Sequence, residues 1–428
     1  MNPISRRRVA WLAALTGLWL VWALATLPAV PFHPDESTYL YMSADAAAVL
    51  HHPLALAYSG QGGLREHYRL VNAPLTRYLT ALGLALHGQS PLRADWDWSV
   101  SWQANVAAGA LPSARQLLAA RRVMTVCTAL AGLLLALVAL RLGGLAAALF
   151  TLGGFLLNPL VLLHGRRVMM EAPMLLGMAW LLWEVTAERP QPWRVGAALA
   201  WAVWAKYWAL AWAPVALWAV WRAEPLPFKR RVLRLLPVVL VPAVTGFLLQ
   251  PVLWRHPAAT LAAMWTARWA VTARQQAAFR AVLPAYAPAT PWQRLALLLG
   301  HLYLAPPAYL DLGKYRAPLA AAIAAYDGHV WMHWTRPLAV AAARLVAMLA
   351  GLVVMARLAW RGREAPRRWA ARVVLLAAAF QWSFLLLTLP LAFQRYALAV
   401  LPFTTIWEAL ALASFFHLLA PNSLIPNS

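Results

Sequence analysis

The chain is predicted to be an all-α, polytopic transmembrane protein, and three observations carry that expectation. Of its 428 residues, 62% are hydrophobic and only 12% charged, about half the charge of an average soluble domain. Several apolar runs reach the roughly 20 residues that cross a bilayer. Lys and Arg gather in the short connections between those runs, the pattern of cytoplasmic loops.

The elements follow in order. Arg6-Arg7-Arg8 precede the apolar stretch Val9 to Val30. That stretch is long for a signal peptide and lacks a small-x-small cleavage site, so it reads as a retained anchor. Further apolar segments fall at 118–140, 143–163, 171–187, 195–206, 207–221, 233–253, 338–357, 372–390 and 396–418. The pair at 195–221 is short and predicts a broken hairpin. Broken backbone at membrane depth survives only against protein or a water-filled cavity.

Basic connections at 6–8, Arg141, 189–194, 222–234 and 357–372 fall on one side, which makes that side cytoplasmic. About ten segments put both termini inside. Two long connections, 32–117 and 254–337, then lie on the extracytoplasmic face, and loops of that length are uncommon unless functional. Pro74 is expected to open a short amphipathic helix, resting on the bilayer or touching substrate. Trp292 to Leu310 would upset the parity if it crossed, so it is expected in the interface. Residues 1–420 read as a single integral membrane domain. Residues 421–428 read as a disordered tail, with no large soluble domain at the C-terminus.

Net charge is +23, from 37 Lys and Arg against 14 Asp and Glu. Without a basic stripe on a soluble fold, this points to topology and anionic headgroups and away from nucleic acid. The single cysteine, Cys127, sits inside an apolar run and excludes a disulfide framework or a cysteine zinc site. No Gly-rich nucleotide loop occurs, so no nucleotide cofactor is expected, and the histidines lack the His-Glu-x-x-His spacing of a zincin. A divalent metal at Asp35, Glu36 or a loop histidine stays open.

Five features carry candidate chemistry. His33-Pro34-Asp35-Glu36 through Tyr41 follows the first apolar helix. Two carboxylates at the membrane boundary are either a helix cap in water or a functional pair, because charge there is costly. Asn72-Ala73-Pro74-Leu75 with Tyr78-Leu79 lies in the first loop. Arg166-Arg167 and Glu171 close a turn on the same face; they can clamp phosphate or neutralise one another near headgroups. Lys206 stands alone at the tip of the 195–221 hairpin, where it either snorkels or faces an anion. Arg395 in Phe393-Gln394-Arg395-Tyr396 shares that level. Cations opposite a carboxylate pair suit departure of a phosphate while a carboxylate activates the attacking group.

In that order, Asp35-Glu36, Pro74-Leu75 with Tyr78-Leu79, Arg121-Arg122, Asn158-Pro159, Arg166 with Glu171, Lys206-Tyr207 and Arg395-Tyr396 resemble the GT-C membrane glycosyltransferases. The likeness is to the protein O-mannosyltransferases, the aminoarabinose transferases and their bacterial relatives. It implies an integral protein of the bacterial plasma membrane with an extracytoplasmic site. It implies transfer of a sugar from a polyprenyl-phosphate donor to a glycolipid, glycan or protein acceptor, usually with inversion. Asp35, followed by Glu36, would be the catalytic acid pair. Lys206, Arg395 and Arg166 would hold the donor phosphate, and Glu171 would be the second acidic position. The chain departs from the pattern with Ala73 where Pro is common and Glu171 where Asp is common. The alternative is a polyprenyl-phosphate or lipid transporter, which predicts paired broken segments in two halves. The hairpin at 195–221 has no visible counterpart in the sequence. A non-catalytic membrane scaffold is a third class, with no need of Lys206 and Arg395 at one depth.

Overall fold

A computed structural model describes residues 6–335 and 337–419; the tail expected at 421–428 lies outside them. All regular structure among the described residues is helical. The first helix, α1 (Arg6–Ala25), ends where the Thr26 hydroxyl turns back onto the Trp22 carbonyl at 3.0 Å. The first long connection then folds into α2 (Pro34–Met42), α3 (Asp45–His51), α4 (Leu64–Val71), α5 (Leu75–Leu86) and α6 (Trp102–Ala107). Pro74 precedes α5 as expected. Rather than only resting on lipid, α5 buries Thr76, Arg77, Thr80 and Gly83 against its neighbours.

The 43 residues of α7 (Ala114–Leu156) are one stretch of helix interrupted at Gly144, whose φ of 76° and ψ of −166° are open to glycine. In a straight helix Gly132 and Leu156 would stand about 36 Å apart. Instead, a Cβ added to Gly132 would lie 2.6 Å from Leu156 Cδ2. The helix therefore folds back into two close arms, matching the two segments read at 118–140 and 143–163. Small residues at the contact let backbones approach where hydrocarbon offers no hydrophobic drive.

Next come α8 (Pro159–His164), α9 (Glu171–Val185), α10 (Pro192–Ala205), α11 (Ala213–Arg222) and α12 (Phe228–Leu249). The second long connection is α13 (Pro257–Val282), α14 (Pro291–Tyr303) and α15 (Arg316–Asp327). The chain closes with α16 (Leu338–Arg361), α17 (Ala365–Thr388) and α18 (Leu401–Leu419). Six helices, α1, α7, α12, α16, α17 and α18, are long and apolar enough to cross a membrane. The protein is an all-α, multi-pass helical bundle.

Four of the five basic connections, at 141, 189–194, 222–234 and 357–372, gather at one end. Arg141 donates to the Trp183 carbonyl at 2.5 Å and to Thr186 Oγ1 at 3.0 Å. Trp369 donates to the carbonyls of Val185 and Ala187. Glu188, Arg189, Arg222 and Trp369 line one cavity of about 350 Å³. The start of α10 and the end of α11 thus lie together, which leaves Lys206 at the far tip of their hairpin.

The two long connections pack on each other at that far end. Trp96, Trp102 and Phe32 enclose Tyr315, with Trp96 and Tyr315 edge to face at 5.1 Å. The Tyr315 hydroxyl donates to the Val100 carbonyl at 2.9 Å. Aromatic pairs of this kind add about 0.5–1.5 kcal/mol beyond area burial. They tie the second connection over the first.

Candidate functional site

The site begins with how α2 starts. Pro34 occupies the first turn, where its missing N–H is no loss. His33 caps the helix: its Nδ1 accepts from the Asp35 amide at 3.2 Å, and its own amide donates to Glu36 Oε2 at 3.0 Å. Asp35 and Glu36 fall in the first turn, where the helix dipole favours negative charge.

The two acids then part company. Glu36 is fully buried and receives Arg121 on both oxygens, Nε–Oε1 at 2.8 Å and Nη2–Oε2 at 2.6 Å. The Val168 amide adds a further bond at 2.9 Å. Burial alone would raise its pKa, but Arg121 outweighs burial and holds it below the usual value. Glu36 was expected in the catalytic pair; in this structure its oxygens are occupied. It joins α2, α7 and the turn before α9 and thereby aims its neighbour. Asp35 keeps a quarter of its side chain exposed.

Arg395 meets Asp35. It follows Gln394, whose Oε1 accepts from the Ala308 amide and whose Nε2 donates to the Pro306 carbonyl at 3.0 Å. From that footing Arg395 Nη1 lies 2.5 Å from Asp35 Oδ2, and Nη2 lies 2.9 Å from Asp311 Oδ2. Asp311 has His33 Nε2 on its other side at 3.5 Å. Burial would raise the Asp311 pKa, yet Arg395 and His33 hold it well below the carboxylate range.

Asp311 went unassigned in the sequence. A signal was present, since Asp311 and Asp327 are the only acids between 254 and 337. Nothing local distinguishes the two, and only the packing of the second connection over the first brings Asp311 to Asp35.

Lys206 ends α10 in extended backbone and is followed by a 3₁₀ turn, Tyr207–Trp212. Its Nζ is 2.8 Å from Glu171 Oε1, at the start of α9. It also lies over the rings of Trp208 and Tyr396, at 4.3 and 4.9 Å. Tyr396 is the residue after Arg395, so the Lys206–Glu171 pair and the Arg395–Asp35–Asp311 group share one neighbourhood.

Arg166 is elsewhere. Its Nε donates to the Leu162 carbonyl at 2.6 Å, Nη1 to Thr26 Oγ1 at 2.8 Å and Nη2 to the Tyr326 hydroxyl at 2.7 Å. Fully buried, it fastens the end of α1 to α15 and does not meet the acidic group. The expectation that it holds phosphate is not matched by this placement.

His33, Asp35 and Asp311 offer one ligand atom each within 4.8 Å of one another and could hold a divalent metal. One nitrogen and two carboxylates suit such an ion. Two details oppose its entry. Arg395 already binds the Oδ2 atoms of both acids. His33 Nδ1 accepts from an amide, which places the ring proton on Nε2, the atom that faces Asp311. A divalent ion would have to displace the guanidinium and change the histidine tautomer.

No protein-family model matches the chain, and no curated protein matches it. Among solved structures it is similar to the archaeal oligosaccharyltransferase AglB from Archaeoglobus fulgidus, solved in complex with an inhibitory peptide and a dolichol-phosphate. The identity is 14% and the TM-score 0.49, over 98% of this chain and 52% of the archaeal one. The chain thus spans about half the length of that enzyme. Likeness at this level assigns neither a family nor a chemistry.

Proposed function

We propose that the protein is a membrane glycosyltransferase of GT-C type, taking a sugar from a polyprenyl-phosphate donor to an extracytoplasmic acceptor with inversion. In this reading residues 1–420 form one domain of about ten membrane segments. The two arms of α7 and the short helices α9, α10 and α11 supply the crossings beyond the six long helices. The basic end faces the cytoplasm of a bacterial plasma membrane. The connections 32–117 and 254–337 form the extracytoplasmic cover.

The observation that carries the reading is the meeting of Asp35, Arg395 and Asp311 beside Lys206 and Glu171. Asp35 is ordered by its cap yet partly open, as a base for an acceptor hydroxyl must be. The acceptor oxygen attacks the anomeric carbon as Asp35 takes its proton. The bond from that carbon to the phosphate oxygen breaks on the opposite face, and the phosphate leaves with the bonding electrons. Arg395 and Lys206 stabilise the charge that develops on it. The cover over the site keeps water from taking the acceptor's place.

A second reading, a polyprenyl-phosphate or lipid transporter, draws on one observation. The 3₁₀ turn Tyr207–Trp212 has a counterpart in Gln394–Ala399, before α18, and the two meet at Trp208 and Tyr396 with ring centroids 4.5 Å apart. Paired broken segments are what a transporter needs. Purified protein supplied with polyprenyl-phosphate sugar separates the two, because an enzyme releases polyprenyl phosphate and a glycosylated product while a transporter leaves the donor intact. Mass spectrometry of glycolipids and glycoproteins from cells lacking the gene should show one missing glycoform. An unchanged profile together with an intact donor in vitro would reject the enzyme.

A further inference from the structure

The cations around the site are largely paired. Lys206 is held by Glu171, Arg395 by Asp35 and Asp311, and Arg121 by Glu36. Arg69 and Arg77 share Asp45, at 2.8 and 3.2 Å. Arg268, on α13, differs. Its guanidinium has no hydrogen bond or ion pair among the described residues, although it is half-buried.

The course of α13 explains where this side chain lies. Near its start, Thr260 Oγ1 donates to the Val252 carbonyl at 3.2 Å. Ala263, Met264, Ala267 and Val271 then pack on Leu70, Val71, Val252 and Leu253. Towards its end, Gln276 Nε2 donates to the Pro390 carbonyl at 3.2 Å, and Phe279 meets Phe393 at 5.4 Å, two residues before Arg395. At 3.6 residues per turn Arg268 falls about 40° from Met264 and about 60° from Val271. It stands on the inward stripe, between the two points where the helix is fastened.

The groups its charge reaches come from other elements. The charge of Arg268 bears on the phenols of Tyr39 on α2 and Tyr396 before α18, on Tyr207, and on Lys206. The hydroxyls of Tyr39 and Tyr396 make no hydrogen bond among the described residues. An inward guanidinium without an acid, whose charge reaches two free hydroxyls and a lysine, matches a tetrahedral oxyanion. A guanidinium fork binds phosphate oxygens in pairs.

We propose that Arg268 is the principal ligand of the donor phosphate, with the hydroxyls of Tyr39 and Tyr396 completing its shell. Lys206 is the secondary contact, because Glu171 already holds it. The inference rests on the reading of the site as a polyprenyl-phosphate site. It makes α13 a cover that both closes the site and supplies the charge.

The test uses the full chain in phosphatidylcholine nanodiscs and farnesyl phosphate as the probe, with binding followed by native mass spectrometry. Arg268→Gln should weaken binding about tenfold to a hundredfold, from the loss of charge-assisted hydrogen bonds. Arg268→Lys, which keeps the charge and loses the fork, should fall between that variant and wild type. Lys206→Met should lose less than Arg268→Gln, and Arg280→Gln, an exposed change on the same helix, should bind as wild type. Wild-type binding with unchanged affinity in both Arg268 variants would overturn the assignment and leave the function standing. Absence of wild-type binding would overturn the polyprenyl-phosphate reading itself. Equal competition by phosphatidylglycerol would show that Arg268 holds a bilayer headgroup, which also overturns it.

Discussion

Arg395→Gln isolates what the guanidinium does between the two carboxylates. In the native site it binds Asp35 Oδ2 at 2.5 Å and Asp311 Oδ2 at 2.9 Å, with Asp311 and Arg395 each 11% exposed at the side chain. Charge-assisted hydrogen bonds contribute about 1.5–3 kcal/mol each. Asp35 is a quarter exposed, so solvent screens part of its share, and about 2–4 kcal/mol is the expected loss of stability. The substitution also leaves His33, Asp35 and Asp311 facing one another with ligand atoms within 4.8 Å. Two neighbouring carboxylates then favour a proton or a cation. Thermal unfolding in detergent, with and without Mn²⁺, reads both effects. The variant should unfold earlier and recover with Mn²⁺, by about 2.7 kcal/mol at a hundredfold excess over Kd. Wild type should respond little, because the guanidinium occupies the ligand oxygens. Equal stabilisation of both proteins by Mn²⁺ would refute the idea that arginine and metal compete. A variant as stable as wild type would refute the ion-pair energetics.

Two further outcomes follow from buried charge. Glu36→Gln keeps the shape but leaves Arg121 buried without its counter-ion, so stability should fall by about 3–5 kcal/mol; wild-type thermal stability would show that Glu36 is not the strut described. His301 is held neutral, with its pKa pushed down to about 4 by burial. An unfolded histidine takes up a proton below about 6.5, so stability should decline as pH falls from about 6.5 towards 4. His301→Gln should make that decline shallower, and an unaltered pH profile would contradict it.

The transmembrane class and most helix positions were legible because apolar length and basic loops are properties of continuous sequence. The fold-back in α7 was legible as two segments flanking Arg141, with Gly144 supplying the turn. The candidate site was legible only in part. Asp35, Lys206, Glu171 and Arg395 announce themselves as charges beside apolar helices. Asp311, His33 and Arg268 do not, since a loop acid, a capping histidine and a cation on a half-exposed helix look ordinary until two connections far apart in the chain are folded together. Glu36 and Arg166 look alike in sequence to the charges that gather at the site, yet they pair with Arg121 and Tyr326. A buried charge signals a constraint, and sequence does not say whether the partner is a substrate or another helix.

The most direct test of the central claim is the transfer rate of Asp35→Asn. The amide keeps the helix cap and the shape of the side chain but cannot take the acceptor's proton. With polyprenyl-phosphate sugar and the native acceptor, the rate should drop by about two to four orders of magnitude. Binding of farnesyl phosphate should persist, since cations hold the phosphate. Full transfer activity in Asp35→Asn would contradict the site.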